Sequence, residues 1–317
     1  MTATPNYAAA KIFSEEKLST LRKALESIVP NDSVALTCGS FARRDASAQS
    51  DIDFFLISRG KAATGKPPPS WLADAHRAIK EIIPKTPAEG GAFAQHINRD
   101  GILRNFGGSK DSNATITRRM LYLLEGEWLS NEAEFREIRR RIIQLYVQET
   151  PRSHQLAFYL LNDVIRYWRT ITVDYSNKTG GKNATKPWAI RNVKLVFSRK
   201  LLYASGLFSV AMTVDRTPHN KQEILEMLFD LPVVERMKTI CGEAEAASLL
   251  SSYDYFLGEL EKEDVRERLN SLRREDRDSD PVFRHLKDEG HHFSRELMKL
   301  FMSTFIPSHP IHMAVVF

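Results

Sequence analysis

The chain predicts an α+β fold: a small mixed β-sheet unit with flanking helices over residues 1–115, followed by an all-helical unit over residues 116–317. Two observations predict it. Apolar runs of strand length lie in the first third of the chain and become rare afterwards. From Thr115 onward, segment after segment repeats its apolar residues with the 3.6-residue period of a helix.

The elements follow in order. SEEKLSTLRKALESIV (14–29) opens with a cap-like Ser-x-x-Glu and spaces Leu18, Leu21, Leu25 and Ile28 helically. Pro30-Asn31-Asp32 breaks that helix, and Val34–Cys38 reads as a short buried strand. Asp51–Ile57 reads as a second, with Ile52, Phe54 and Leu56 alternating against Asp51, Asp53 and Phe55. GKAATGKPPPS (60–70) is a linker, Trp71–Ile83 a helix, and Ala92–Phe106 holds one or two strands ended by Gly107-Gly108. TRRMLYLLEGEWL, EFREIRRRIIQLYVQE, the helix at 153–175, AIRNVKLVFSRKLLYASGLF and the later apolar segments are all read as helical. RREDRDSD (273–280) is a solvated loop.

Bulk properties narrow the class. Apolar residues make up 42% and charged residues 27% of 317, as in a folded globular chain. No apolar run approaches the roughly 18 residues of a membrane span, and the N-terminus lacks a signal-peptide pattern. Two distant cysteines, Cys38 and Cys241, suit a reducing compartment, so a cytoplasmic location without membrane insertion is expected. A net charge of +5 is compatible with a polyanionic ligand.

The stretch CGSFARRDASAQSDIDFFLI (38–57) carries the chemistry. Asp51 and Asp53 are two apart on a strand and share a face. Such carboxylates repel unless a cation lies between them, and magnesium, or manganese in its place, sits between carboxylates and phosphates. Gly39 permits close backbone approach, Ser40 offers a hydroxyl and an N–H, and Arg43 or Arg44 adds positive charge. These residues suit a metal-bound triphosphate and in-line displacement at phosphorus. The bland alternative is a strand whose first acids face water; the order strand, Gly-Ser, Arg-bearing run, Ser50-Asp51-x-Asp53, apolar strand weighs against it.

These twenty residues resemble the DNA polymerase beta-like nucleotidyltransferase superfamily, and within it the branch that includes the uridylyltransferase domain of the bacterial nitrogen-sensing enzyme. FGGSKDSNATITRRMLYLLEGEWL and KPWAIRNVKLVFSRKLLYASGLF are similar to that branch's passage into its helical part and to a basic helix there. The resemblance implies that Gly39, Ser40 and neighbouring Ser50 serve the nucleotide and that Asp51 and Asp53 bind magnesium. It also implies a third acid from a neighbouring strand, for which Asp111 is the first candidate and Asp100 the second; Asp111 is equally an N-cap candidate. The implied activity is transfer of a nucleoside monophosphate from an NTP or dNTP to an acceptor hydroxyl, on a small molecule, protein, nucleic acid or nucleotide. Some bacterial members act in toxin or antiviral systems, where a nucleotide acceptor gives an oligonucleotide signal. The competing class is a degenerate, non-catalytic nucleotide-binding regulator. Oligomeric state is not read from the sequence.

Lys178, Lys182, Lys186, Arg191 and Lys194 surround Gly180-Gly181 and Trp188, which suits phosphate binding with base stacking or, equally, a solvated basic loop anchored by Trp188. Arg199-Lys200 continues that charge. Asp163, Arg166, Tyr167 and Thr170 form a polar helix stripe, read first as a helix–helix contact. His285, His291, His292, His309 and His312 lack zinc-ligand spacing.

Overall fold

In a mixed sheet, β1 (Ser33–Cys38) lies at the centre beside β2 (Asp53–Ser58), with β3 (Gln95–Asn98) and β4 (Glu127–Trp128) at the edges, in the order β3-β2-β1-β4. β1 pairs antiparallel with β2 and β4, and β2 pairs parallel with β3. The structure, a computed structural model, describes residues 4–59, 69–85, 95–104, 106–108, 111–148, 152–180 and 187–316. Most of the expected linker, together with Lys182 and Lys186, lies outside the described residues.

The chain divides into two compact units: Ala9–Glu149 with Leu225–Pro232, and Met1–Ala8 with Thr150–Ile224 and Val233–Phe317. The first holds the sheet with α2 (Gly39–Arg43), α3 (Ser70–Ile82), α4 (Arg99–Arg104), α5 (Asn113–Glu125), α6 (Glu132–Gln148) and most of α1 (Pro5–Leu25). One face of the sheet buries Ala35, Ile52, Phe54 and Leu56 against Leu18, Leu21 and Leu25 of α1 and Leu72, Ala75 and Ile79 of α3. Each Å² of apolar surface this layer removes from water contributes about 25 cal/mol to the unit. Helices α5 and α6 pack on β1.

Three expectations are corrected here. The first helix starts at Pro5, not Ser14: Ser14 is buried within it and donates its hydroxyl to the Ala10 carbonyl one turn back. Of the one or two strands expected over 92–106 the described residues form one, β3, and a second is replaced by a helix, α4, which Asn98 caps by accepting the Asp100 N–H at 2.8 Å. The boundary expected at residue 115 lies near 149, because the segment read as helical through EGEWL returns to the sheet as β4. Gly126 makes that exit: a Cβ there would sit 2.4 Å from the Tyr122 carbonyl oxygen.

The second unit is helical among its described residues: α7 (Phe158–Thr179), α8 (Trp188–Lys194), a π-helical turn (Leu195–Arg199), α9 (Lys200–Ala211), α10 (Pro218–Asp230, shared with the first unit), α11 (Val233–Cys241), α12 (Glu243–Glu261), α13 (Glu263–Ser271), α14 (Pro281–Thr304) and α15 (Ile311–Val316). Phe197 of the π turn stacks on Phe256 of α12, ring centroids 4.6 Å apart, and tilts against Phe293 of α14 at 5.1 Å. The chain's start is tied to this core, the Tyr7 N–H donating to Asp254 Oδ1 at 2.8 Å. No described helix is long and apolar enough to cross a membrane.

Candidate nucleotide and metal site

Antiparallel pairing brings the end of β1 to the start of β2, with Cys38 opposite Asp53. Thr37, passed over in the sequence, donates Oγ1 to the Asp53 carbonyl at 2.7 Å and fastens this corner. The chain then turns at Gly39, whose φ of +71° lies in the left-handed region that disfavours a side chain. A Cβ on Gly39 would stand 3.1 Å from Asp53 Oδ2. The glycine therefore leaves its backbone directly against that carboxylate.

Asp51 is exposed just before β2, and among the described residues its carboxylate has no ion-pair partner. Ile52 between the two acids is buried in the core, Asp51 is exposed and Asp53 partly buried, but β2 begins only at Asp53, so Asp51 and Ile52 precede the strand on which the sequence places them. Ser40 is half-buried, and its hydroxyl makes no hydrogen bond among the described residues. Ser50 serves its own turn: its Oγ accepts the Ser47 N–H at 3.0 Å while its N–H donates to the Ser47 carbonyl.

The arginines differ from expectation. Arg43 is buried and donates to Asp45 at 2.9 Å and Glu125 at 2.5 Å. Arg44 is buried at φ +65° and donates to Glu15 at 2.7 Å and Glu127 at 2.9 Å. Burial alone would lower the Arg44 pKa, but Glu127 and Glu15 outweigh it and hold the guanidinium above its ordinary value. Both cations are committed to internal carboxylates, because α2 is only five residues long and its end is folded against α1, α5 and β4.

The two candidates for a third acid are both placed elsewhere. Asp111 accepts from Arg119 at 2.6 Å and from the Gly107 N–H at 2.9 Å. Burial would lower the Arg119 pKa, yet its bonds to Asp111 and Tyr146 raise it. Asp111 precedes the start of α5, whereas the groups near the Gly39 turn come from that helix's other end: Leu121, whose carbonyl lies 3.8 Å from Cys38 Sγ, and Glu125. Eight helical residues separate Asn113 from Leu121, about 12 Å. Asp100 follows the last β2–β3 pair, Ser58 with Asn98, so it lies beyond the end of the strands opposite Asp53, roughly 17 Å away at strand rise. It pairs with Arg104 at 3.1 Å. The described strand β3, Gln-His-Ile-Asn, carries no carboxylate.

The Gly39–Asp53 approach and the exposed Asp51 fit a hard divalent cation bound jointly with phosphate oxygens. Among the described residues no group of three or more His, Cys, Asp or Glu side chains is arranged for a metal. In the helical unit, Arg191 and Lys194 lie on α8. Trp188 is an anchor: its indole N–H donates to the Leu272 carbonyl at 2.8 Å and its ring meets Phe283 edge-on at 4.8 Å. Asp163 pairs with Arg166 at 3.3 Å, and Tyr167 is buried. His285 packs on Tyr255, and His309 and His312 pack on Phe305 and Phe301.

Compared with protein-family models, curated proteins and solved structures, the chain matches none.

Proposed function

We propose that the chain is a polymerase beta-like nucleotidyltransferase that moves a nucleoside monophosphate from an NTP or dNTP to an acceptor hydroxyl. The observation that carries this reading is the carboxylate of Asp53 lying against a side-chain-free, left-handed Gly39, with Asp51, exposed and without an ion pair among the described residues, two positions earlier in the chain. Asp51 and Asp53 would hold magnesium, whose contribution when bound is to neutralise phosphate oxygens. Gly39 admits the phosphates to the backbone, and Ser40 supplies an uncommitted hydroxyl. In the reaction the acceptor oxygen bonds to the α-phosphorus, the bond to the bridging oxygen breaks, pyrophosphate leaves with that electron pair, and the acceptor proton passes to solvent.

A second reading, a nucleotide-binding regulator without turnover, is favoured by one observation: neither Asp111, Asp100 nor described β3 places a third carboxylate beside Asp53. One experiment separates the two. The chain is incubated with each labelled NTP and dNTP and magnesium, and pyrophosphate release is compared with that of Asp51→Asn and Asp53→Asn. Release lost in both variants supports the transferase. Release that persists in both rejects it, and nucleotide binding without any release supports the regulator.

A further inference from the structure

Two lysines in the helical unit stand apart from every other internal cation described above. Lys200 begins α9 just after the π turn, and its ammonium donates to Ser294 Oγ of α14 at 2.7 Å. Lys287, two turns earlier on α14, donates to Asn192 Oδ1 of α8 at 3.2 Å. Asn192 in turn donates Nδ2 to the Tyr175 hydroxyl of α7 at 3.0 Å. Between these contacts Gly290 lets the helices close, since a Cβ there would lie 2.6 Å from Val196 Cγ1. The result is a strip running from Tyr175 through Asn192 and Lys287 to Lys200 and Ser294.

No carboxylate answers either ammonium among the described residues. Of the acids beside Lys287 in sequence, Glu289 lies near Tyr255 and Asp288 is exposed. The sequence between the described ends of α7 and α8, Gly-Lys-Asn-Ala-Thr-Lys, contains no acid either. Each ammonium spends one N–H on a neutral oxygen and keeps two. The Tyr175 hydroxyl accepts from Asn192 and keeps its own proton to donate. Partial burial of unpaired like charges is unfavourable. Burial, and secondarily Lys287, lower the Lys200 pKa, while burial lowers that of Lys287.

We infer that this strip is an anion site for linked phosphoryl groups, of the pyrophosphate or polyphosphate class, independent of Asp51 and Asp53. The remaining polar hydrogens at Lys200, Lys287 and Tyr175 are donors, which matches an acceptor-only ligand. Positions 287 and 294 are seven residues apart on α14, about 10 Å of helix. That spacing puts one cation toward each end of a phosphoryl chain instead of both on a single phosphate.

The test titrates the full chain by calorimetry with inorganic phosphate, pyrophosphate, tripolyphosphate and an NTP, without magnesium and with chelator present. Pyrophosphate or tripolyphosphate is expected to bind at least tenfold tighter than phosphate, and the NTP arm shows whether a nucleoside is tolerated on the chain. Lys200→Gln and Lys287→Gln should each weaken pyrophosphate binding at least tenfold, Tyr175→Phe a few-fold, and Lys200→Arg less than Lys200→Gln. Asp53→Asn should leave this binding unchanged, so failure of the transferase reading and failure of this one are distinguishable. Both glutamine variants should melt no lower than the parent without ligand. Equal pyrophosphate affinity in the double glutamine variant, no binding by the parent, or phosphate binding as tightly as pyrophosphate would overturn the assignment. So would glutamine variants that melt well below the parent, since the lysines would then be structural.

Discussion

Two buried arginines of the sheet unit and two half-buried lysines of the helical unit are held in opposite ways. Arg43 and Arg44 are buried among Asp45, Glu125, Glu15 and Glu127. Lys200 and Lys287 are half-buried beside a serine and an asparagine. A guanidinium with fixed, forked donors suits two carboxylates at once, so the arginines complete a structural network. An ammonium held only by neutral oxygens stays electrostatically unfinished. The difference teaches that proximity to a glycine-serine turn does not make a cation a ligand; its partners decide.

This contrast can be broken or sharpened by measurement. The largest effect is expected at the acids: Asp53→Asn should lower pyrophosphate release by roughly 10³–10⁴-fold, as loss of about 4–5.5 kcal/mol of charge stabilisation implies. Next is Arg43→Met, which strands the Asp45 and Glu125 carboxylates in the interior. It should destabilise by about 3–5 kcal/mol in urea unfolding of the full chain. Gly39→Ala forces an alanine into left-handed backbone facing Asp53 Oδ2. It should cost about 1–2 kcal/mol and should also depress nucleotide turnover. Ser50→Ala removes one acceptor from a turn, worth about 0.5–1.5 kcal/mol in the same assay. Lys200→Gln closes the series with no loss of stability and a gain of about 0.5 kcal/mol or less. If Arg43→Met proves as mild as Lys200→Gln, the distinction between finished and unfinished charge is wrong.

Part of the sheet corner was legible because period-two alternation is local: Ile52, Phe54 and Leu56 enter one core cluster, while Asp51 is exposed and Asp53 partly so. Gly39 was legible as a point of close backbone approach, because it has no Cβ; its left-handed φ emerged only in the fold. What escaped was non-local. Gly126 looks like an interruption until β4 is seen to pair with β1, and Leu36 with Trp128 is a contact across 92 residues. Ser14 carried a capping signature, yet the alanines before it extend the helix and its hydroxyl turns back to Ala10. Asp111 could be named as an acid, but its commitment to Arg119 depends on how α5 buries that arginine. The lysine strip was half-visible in Lys200; Lys287, Asn192 and Ser294 join it only through the packing of α14 on the helix that contains the π turn.

The π turn Leu195–Arg199 has a mechanical consequence. In an uninterrupted α-helix each residue advances the azimuth by about 100°. The π turn, closed by i→i+5 bonds, is underwound and holds one residue more than an α turn. Deleting one residue between Leu195 and Arg199 would therefore let α8 and α9 fuse as regular α-helix with α9 keeping its face, Phe208 among its aromatic neighbours. The same deletion inside α9 would swivel everything after it, so one excised amino acid acts in the π turn as a shortening and elsewhere in that helix as a twist.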